Sequence, residues 1–113
     1  MHELSLSESI IDLVVDRARV ERIARVSRVV IEIGVASAID PQTLLFCFPI
    51  TAAETLADGA ELVIREIPLQ ARCEACRMEF APPTLISPCP SCGSFARHIV
   101  AGREMRVVSF EGE

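Results

Sequence analysis

Two Cys-x-x-Cys pairs constrain this chain more than any other feature of its sequence. Cys73 and Cys76 form the first pair, Cys89 and Cys92 form the second, and twelve residues separate the pairs. Each pair places two thiols on one side of a tight loop, and two facing loops supply four sulfurs at the corners of a tetrahedron. Zn²⁺ takes that geometry with sulfur ligands, and paired motifs of this class are typical of zinc sites. The pattern predicts a closed, structural Zn²⁺ site with no position open for a substrate.

Two other interpretations of these cysteines are weaker. A pair of disulfides would suit a secreted mini-domain, but Met1-His2-Glu3 begins the sequence without the charged and apolar segments of a signal peptide. We therefore expect a cytoplasmic protein with reduced thiols. A redox Cys-x-x-Cys needs one exposed thiol of low pKa and would not explain a second pair. Cys47 lies outside both pairs and is expected to be a small buried apolar residue.

The composition indicates a small aliphatic core and excludes several classes of function. The 113 residues are 50% hydrophobic but include neither Trp nor Tyr. No apolar run approaches the roughly 18 residues of a membrane span. A net charge of −5 opposes nucleic-acid binding, which depends on neutralising phosphates. The sequence has no phosphate-binding loop and no hydrolase motif, so we do not expect an enzyme.

Residue periodicity predicts an α+β fold: two helices packed on a three-stranded mixed sheet, with an inserted zinc-ribbon-like lobe that holds the four paired cysteines. Apolar residues at helical spacing predict a first helix over Leu6–Ile23, begun by a capping box of Ser5 and Glu8. Asp40 and Pro41 are typical of a helix cap and first residue, and they predict a second helix. Alternating apolar residues predict strands at about 26–35, 60–67 and 104–110.

The predicted faces and boundaries divide the chain into two parts. On the first strand Val29, Ile31, Ile33 and Val35 are expected to be buried, and on the second helix Leu44, Leu45, Phe48 and Ala52. Because the third strand follows the cysteine pairs, the zinc lobe is an insertion between two strands of one sheet. We expect residues 1–68 and 101–113 to form one α/β domain and residues 69–100 a zinc-binding domain. The two crossings between them are expected at about Pro68 and Gly102.

His2 is a second candidate metal ligand. A histidine at position 2 can chelate a metal through the terminal amine, its own deprotonated amide and its imidazole. Such a planar nitrogen set suits Ni(II) or Cu(II). Taken alone, however, a single histidine near a terminus is usually a solvated residue.

Several segments together resemble a known family. They are Met1–Ser5, Gly34 followed by Asp40-Pro41, the two cysteine pairs, and the closing stretch Gly102–Ser109. In this combination, which runs the full length of the chain, the sequence resembles the HypA/HybF hydrogenase maturation nickel chaperones. The alternative from the residues alone is a zinc-ribbon interaction or regulatory module in which His2 is incidental.

The resemblance implies a role for each candidate residue. His2 would be the nickel ligand, Glu3 would assist through its backbone nitrogen, and the four paired cysteines would hold structural zinc. Such a protein delivers Ni²⁺ to the large subunit precursor of [NiFe] hydrogenase together with the GTPase HypB, and some members also serve urease. Whether the chain forms a homodimer stays open. We expect Asp40 to act as a helix cap before it acts as a ligand.

The sequence departs from some relatives beside the cysteines. Those relatives carry histidines next to the pairs, whereas here Arg77 follows Cys76 and Gly93 follows Cys92. His98, six residues beyond Cys92, is not assigned a role.

Overall fold

In the computed structural model, which describes residues 2–113, the chain forms two helices and two three-stranded sheets. The elements in chain order are α1 (Glu3–Val20), β1 (Val26–Gly34), α2 (Pro41–Ala52), β2 (Glu61–Ile67), β3 (Gln70–Cys73), β4 (Glu79–Phe80), β5 (Arg97–Ala101) and β6 (Met105–Gly112).

The first sheet is mixed and has β1 at its centre. Its strand order is β2-β1-β6, with β1 parallel to β2 and antiparallel to β6. Val29, Ile31 and Ile33 are buried as predicted, because alternate side chains of a strand point to the same face. Val35 was expected among them but lies beyond the end of β1 and is exposed. The predicted α+β class, with two helices and a mixed three-stranded sheet, is confirmed.

The two helices and this sheet share one aliphatic core. Its buried helical members are Leu6, Ile10, Ile11, Val14, Val15 and Ala18 from α1, and Leu44, Phe48 and Ala52 from α2. Ser7 is fully buried between the helices and shares a hydrogen bond of 2.7 Å with the Thr51 hydroxyl. The prediction that Leu45 is buried was wrong. At 100° per residue the buried face centred on Leu44 and Phe48 takes in Cys47 instead.

Helix α1 begins earlier than the sequence predicted. The capping box was wrong, since the N-cap is His2 and Ser5 lies inside the first turn. The backbone N–H of Leu6 already donates to the His2 carbonyl at 3.0 Å. An acidic residue in the first turn is favoured by the helix dipole, and Glu3 occupies that position.

Helix α1 also ends earlier than predicted, at Val20 instead of Ile23. Arg22 adopts a left-handed φ of 58°, which stops the helix. The N–H of Ile23 donates to the Ala18 carbonyl at 2.8 Å, and the N–H of Arg22 to Arg19 at 3.1 Å. These two bonds are the Schellman arrangement that closes helix C-termini.

The segment that holds the cysteine pairs is inserted between β2 and β6, as predicted, and its strands form a second sheet, which was not predicted. Its order is β4-β3-β5, and both pairings are antiparallel. Neither β3 nor β5 was predicted, because segments of four and five residues with weak alternation give little signal. Where the chain returns to the first sheet, Gly34 and Gly102 approach so closely that a Cβ on Gly34 would lie 2.0 Å from the Gly102 carbonyl carbon. Glycine at this crossing is therefore required by sterics.

Among residues 2–113 neither helix combines the length and apolar character needed to cross a membrane.

Candidate metal sites

The fold brings the four paired cysteines together. The Sγ atoms of Cys73, Cys76, Cys89 and Cys92 all lie within 4.8 Å of one another. Sulfurs from different pairs are nearest, at 3.6 Å for Cys73 and Cys92 and 3.7 Å for Cys76 and Cys89. All four are free thiols, at distances well beyond the roughly 2.05 Å of a disulfide bond. This arrangement offers four sulfur ligands that could hold one metal ion.

The two cysteine loops repeat the same backbone geometry. In the first, the N–H of Arg77 donates to the Cys73 carbonyl at 2.9 Å; in the second, the N–H of Gly93 donates to the Cys89 carbonyl at 2.9 Å. The residue after each pair is left-handed, with φ of 65° at Arg77 and 77° at Gly93. The two loops therefore present their sulfurs in equivalent ways.

Strands and a small second core fix the positions of the loops. Cys73 is the last residue of β3, and it is buried with Cys89 in a cluster completed by Ala71 and Phe80. The second cysteine of each pair is exposed. The second core therefore fixes the first cysteine of each pair, and the second cysteine of each pair faces solvent.

Backbone amides favour the thiolate form of the first cysteine in each loop. The N–H groups of Cys76 and Ala75 donate toward the Cys73 sulfur and lower its pKa to about 6, against the opposing effect of desolvation. The pKa of Cys89 is also lowered, first by the backbone of Cys92. These sulfurs are ready to act as anionic ligands, since the thiolate is the form that binds metal.

The second cysteine of each loop resists ionisation. The Met78 backbone is the largest influence on Cys76 and lowers its pKa, but desolvation and the neighbouring sulfurs outweigh it and raise the pKa to about 11. The pKa of Cys92 is raised too: its Ser94 backbone contact lowers it, but the sulfur of Cys73 and desolvation prevail. Four thiolates in so small a volume repel one another, and a divalent cation among them removes that repulsion. The donor set therefore fits a thiophilic divalent metal.

The second predicted site lies at the start of α1. His2 is exposed, with extended backbone angles of φ −83° and ψ 128°, and its side chain makes no capping hydrogen bond. Only its carbonyl enters the helix, as the acceptor for Leu6. Met1, whose amine was predicted to be a nickel donor, lies outside the described residues.

Glu3 and Asp40 link this end of α1 to α2. The Glu3 Oε2 atom accepts a hydrogen bond of 3.1 Å from the Asp40 backbone nitrogen. Asp40 caps α2 as predicted, because its Oδ1 accepts from the Gln42 nitrogen at 3.0 Å and its Oδ2 from the Thr43 hydroxyl at 2.8 Å. The backbone N–H of Asp40 lowers the pKa of Glu3, and the Thr43 hydroxyl followed by the Gln42 N–H lowers the pKa of Asp40. Sequence reasoning did not find the Glu3–Asp40 bond.

Two further candidates lie apart from these groups. Cys47 is buried on the inner side of α2, as predicted. His98 is exposed on β5 as the cross-strand partner of Arg72, and it lines a cavity of about 200 Å³ beside Cys73.

Comparison with known proteins places the chain in a family. Residues 1–112 match the family described as "Hydrogenase/urease nickel incorporation, metallochaperone, hypA". The chain is 38% identical over 113 residues to a hydrogenase maturation factor HypA of Psychromonas ingrahamii, covering 100% of this chain and 99% of the relative. It is 45% identical over 109 residues to a HypA of Chlorobium limicola, covering 96% and 94%.

Solved structures agree with the sequence relatives. The solution structure of the Ni metallochaperone HypA from Helicobacter pylori is similar, with a TM-score of 0.71, 32% identity, and coverage of 99% of this chain and 97% of that one. A second HypA solution structure gives a TM-score of 0.76 at 32% identity, with coverage of 100% and 97%. This family consists of metallochaperones for hydrogenase maturation and not of catalytic enzymes. The resemblance of the chain to this family, which was predicted from its sequence, is confirmed. Because the family model and the relatives match over the full length, the chain belongs to the HypA family of nickel metallochaperones.

Proposed function

We propose that this chain binds Ni²⁺ as cargo at its N-terminus and delivers it to the large subunit precursor of [NiFe] hydrogenase. The observation that supports this most is the state of His2, whose imidazole is exposed and not used as a helix cap. A histidine side chain that neither packs in the core nor caps a helix is available as a metal ligand.

The backbone around His2 suits a chelate that uses amide nitrogens. The first N–H groups of a helix have no acceptor within the helix, and in α1 the Leu6 N–H is the first to donate to a helical carbonyl. Deprotonation of the His2 or Glu3 amide by nickel would therefore break no helical hydrogen bond. We propose the His2 imidazole, its amide and the amine of Met1 as donors, with the Glu3 amide as the next nitrogen. The Glu3 carboxylate is already engaged with Asp40.

We propose Zn²⁺ as the metal of the four cysteines, with a structural role. With Zn–S bonds of about 2.3 Å, a regular tetrahedron has sulfur–sulfur edges of about 3.8 Å. The two nearest pairs, at 3.6 and 3.7 Å, approach that edge. Bound zinc would supply the positive charge that stabilises four thiolates. Its lobe, residues 69–100, would fold as a zinc-dependent domain beside a nickel-binding domain of residues 1–68 and 101–113.

A chain that delivers nickel also needs protein partners. We propose that the chain works in the cytoplasm with the GTPase HypB, because its own sequence has no phosphate-binding loop to bind a nucleotide. The names of its relatives concern hydrogenase maturation, which supports a partner in that system.

The direct test is the Ni²⁺ stoichiometry of the native chain and of His2→Ala. His98→Ala is the matched control, since it removes the other histidine. We expect His2→Ala to lose the bound nickel and His98→Ala to keep it. Retention of one equivalent by His2→Ala, with unchanged affinity, would overturn the nickel site.

A further inference from the structure

The outward face of α2 is uncharged, and beyond the exposed polar residues Gln42 and Thr43 of its first turn it carries large apolar side chains. The helix Pro41–Ala52 contains no charged residue. Phe46 is 73% exposed, Ile50 is 59% exposed and Leu45 is 38% exposed. A surface helix normally carries charged or polar side chains on its outer face. A cluster of exposed large apolar side chains on a small protein is typical of an interaction surface.

A groove between α1 and α2 borders this face. One part has a volume of about 320 Å³ and is lined by Leu4, Glu8, Ile11, Asp12, Ile50, Thr51 and Thr55. A second part, of about 610 Å³, shares Ile11, Asp12 and Thr55 with the first and continues to Leu56. The two parts form one channel, which we call the α1–α2 groove. Its lining is mixed: the apolar members are Leu4, Ile11, Val15, Ile50 and Leu56, and the others are polar or charged.

The rim of the α1–α2 groove is acidic. Glu8, Asp12 and Asp16 follow one another at intervals of four residues along α1, and Glu54 lies across from them. Within residues 2–113 none of these four carboxylates takes part in a salt bridge. Arg19, at the far end, is the one basic residue of the lining. The rim therefore favours a cationic occupant.

The α1–α2 groove extends to the first turn of α1, although His2 and Glu3 are not among its lining residues. Leu4, which lines it, lies in the first turn of α1, two residues after His2. A protein segment bound there would be placed next to the metal-binding end of the chain.

We infer that the α1–α2 groove docks a cationic amphipathic helical segment of the protein that exchanges nickel with the N-terminus, an inference that rests on the proposed function. Carboxylates spaced by four residues on a helix are about 6 Å apart, which matches basic side chains at i and i+4 on a helix lying alongside. The apolar side of that helix would cover Ile50 and Phe46, as in other helix-in-groove interactions.

The same charges disfavour other occupants. Nucleic acid and anionic lipid surfaces carry negative charge and would be repelled by the rim. A second copy related by a twofold axis would place the acidic rim against itself. A cationic amphipathic helix is the occupant that matches both the exposed apolar side chains of Leu4, Phe46 and Ile50 and the acidic rim.

The test uses a synthetic peptide of about 16 residues, helical, with Leu on one face and Lys on the other, labelled for fluorescence anisotropy. The comparison peptide has the same composition in scrambled order. For the native chain we expect tighter binding of the ordered peptide, and weaker binding when salt rises from about 50 to 300 mM. Equal binding of the two peptides would overturn the inference.

Matched variants localise the binding. We expect the pair Glu8→Lys and Asp12→Lys, and separately the pair Phe46→Ser and Ile50→Ser, each to weaken binding about tenfold or more. The controls are Glu66→Lys with Glu79→Lys, and Leu13→Ser with Val20→Ser, which make the same changes at exposed positions outside the groove. Controls that weaken binding as much as the groove variants would overturn the inference, as would sedimentation showing that the groove variants abolish a homodimer.

A nickel measurement separates this inference from the proposed function. All groove variants should retain the native Ni²⁺ stoichiometry, and His2→Ala should bind the peptide normally. Peptide binding with no effect of His2→Ala on nickel would remove the nickel site and leave the docking groove in place.

Discussion

The Glu3 carboxylate accepts a hydrogen bond of 3.1 Å from the backbone nitrogen of Asp40, and this bond joins the first turn of α1 to the cap of α2. The two residues are 37 positions apart in sequence. Asp40 uses its own carboxylate to cap α2, so its backbone N–H is left to Glu3. The chain directly after His2 is therefore held in place by the second helix, although His2 itself is exposed.

This bond predicts a positioning role for the Glu3 side chain. In Glu3→Ala the Asp40 N–H loses its partner, while the Glu3 backbone nitrogen is unchanged. We expect nickel to bind with the native absorption spectrum but with lower affinity, and less loss than in His2→Ala. Glu3→Gln retains an acceptor oxygen and should restore most of the affinity. A changed nickel spectrum in Glu3→Ala would show instead that the carboxylate is a ligand.

The same bond predicts a dependence of stability on acid. The Asp40 N–H, ahead of the other influences, lowers the pKa of Glu3 from its ordinary value of 4.5. Because the folded value is depressed, the contribution is fully present above about pH 4.5 and is lost as pH falls through the folded pKa. We expect the difference in unfolding free energy between the native chain and Glu3→Gln to shrink in that range. A direct check is the NMR titration of the Glu3 carboxyl, which should have its midpoint below 4.5; a midpoint at or above that value would contradict the prediction.

The Glu3–Asp40 hydrogen bond also illustrates which features of the fold local sequence patterns could not predict. Periodicity was sufficient to locate β1 and to find Val29, Ile31 and Ile33 on one buried face, but it did not show that Val30 on the opposite face is buried as well. The Asp40-Pro41 signal located α2 for the same local reason. The start of α1 was missed because Ser5 offered a local cap, whereas the actual start is coupled to a contact with Asp40 that no local pattern encodes.

Of the candidate functional features, the cluster of four cysteines was predictable from the sequence and the α1–α2 groove was not. The spacing of Cys73, Cys76, Cys89 and Cys92 was sufficient to predict that their sulfurs meet, since each pair is a local loop. The α1–α2 groove was not predicted, because the sequence placed Leu45 in the core and did not reveal that Phe46 and Ile50 are exposed.

The equivalent positions after the two cysteine loops predict opposite effects of substitution. Arg77 and Gly93 both have a left-handed φ, which costs little for glycine but strains other residues. We expect Arg77→Gly to raise the unfolding free energy of the zinc-loaded chain by about 0.5 kcal/mol or more, and Gly93→Ala to lower it by about 1 kcal/mol. No atom lies within 4 Å of a Cβ on Gly93, so its cost comes from the backbone alone. Urea denaturation measures both, and destabilisation by Arg77→Gly would indicate that the arginine side chain outweighs the strain.

Loss of one sulfur should affect the zinc lobe more than the rest of the fold. A structural Zn²⁺ contributes on the order of 10 kcal/mol to its site, and the second core is small. We expect Cys73→Ala and Cys92→Ala to lose zinc and to disorder residues 69–100. The helices and the sheet of β2, β1 and β6 have their own core, so they should remain folded but less stable.

Amide hydrogen exchange and zinc analysis test this, with Cys47→Ala as a control that should retain zinc. Tightly bound stoichiometric zinc in Cys92→Ala would contradict the prediction.

Extension of the chain before Met1 tests the proposed nickel chelate most directly. The amine, the His2 amide and the imidazole act as one chelate only when nothing precedes Met1, and one added Gly-Ser removes the amine from that position. Helix α1 starts at Glu3, and its first hydrogen bond needs only the His2 carbonyl, so folding should be unaffected. The four cysteines are at residues 73–92, so zinc should also be retained.

We therefore expect the extended chain to bind Ni²⁺ much more weakly, or with six-coordinate geometry. A planar nitrogen-rich Ni²⁺ site gives a more intense visible d–d band than an octahedral site, whose d–d bands are weak. Equal nickel affinity with the same spectrum in both chains would mean that the amine is not a ligand and that His2 binds nickel through its side chain.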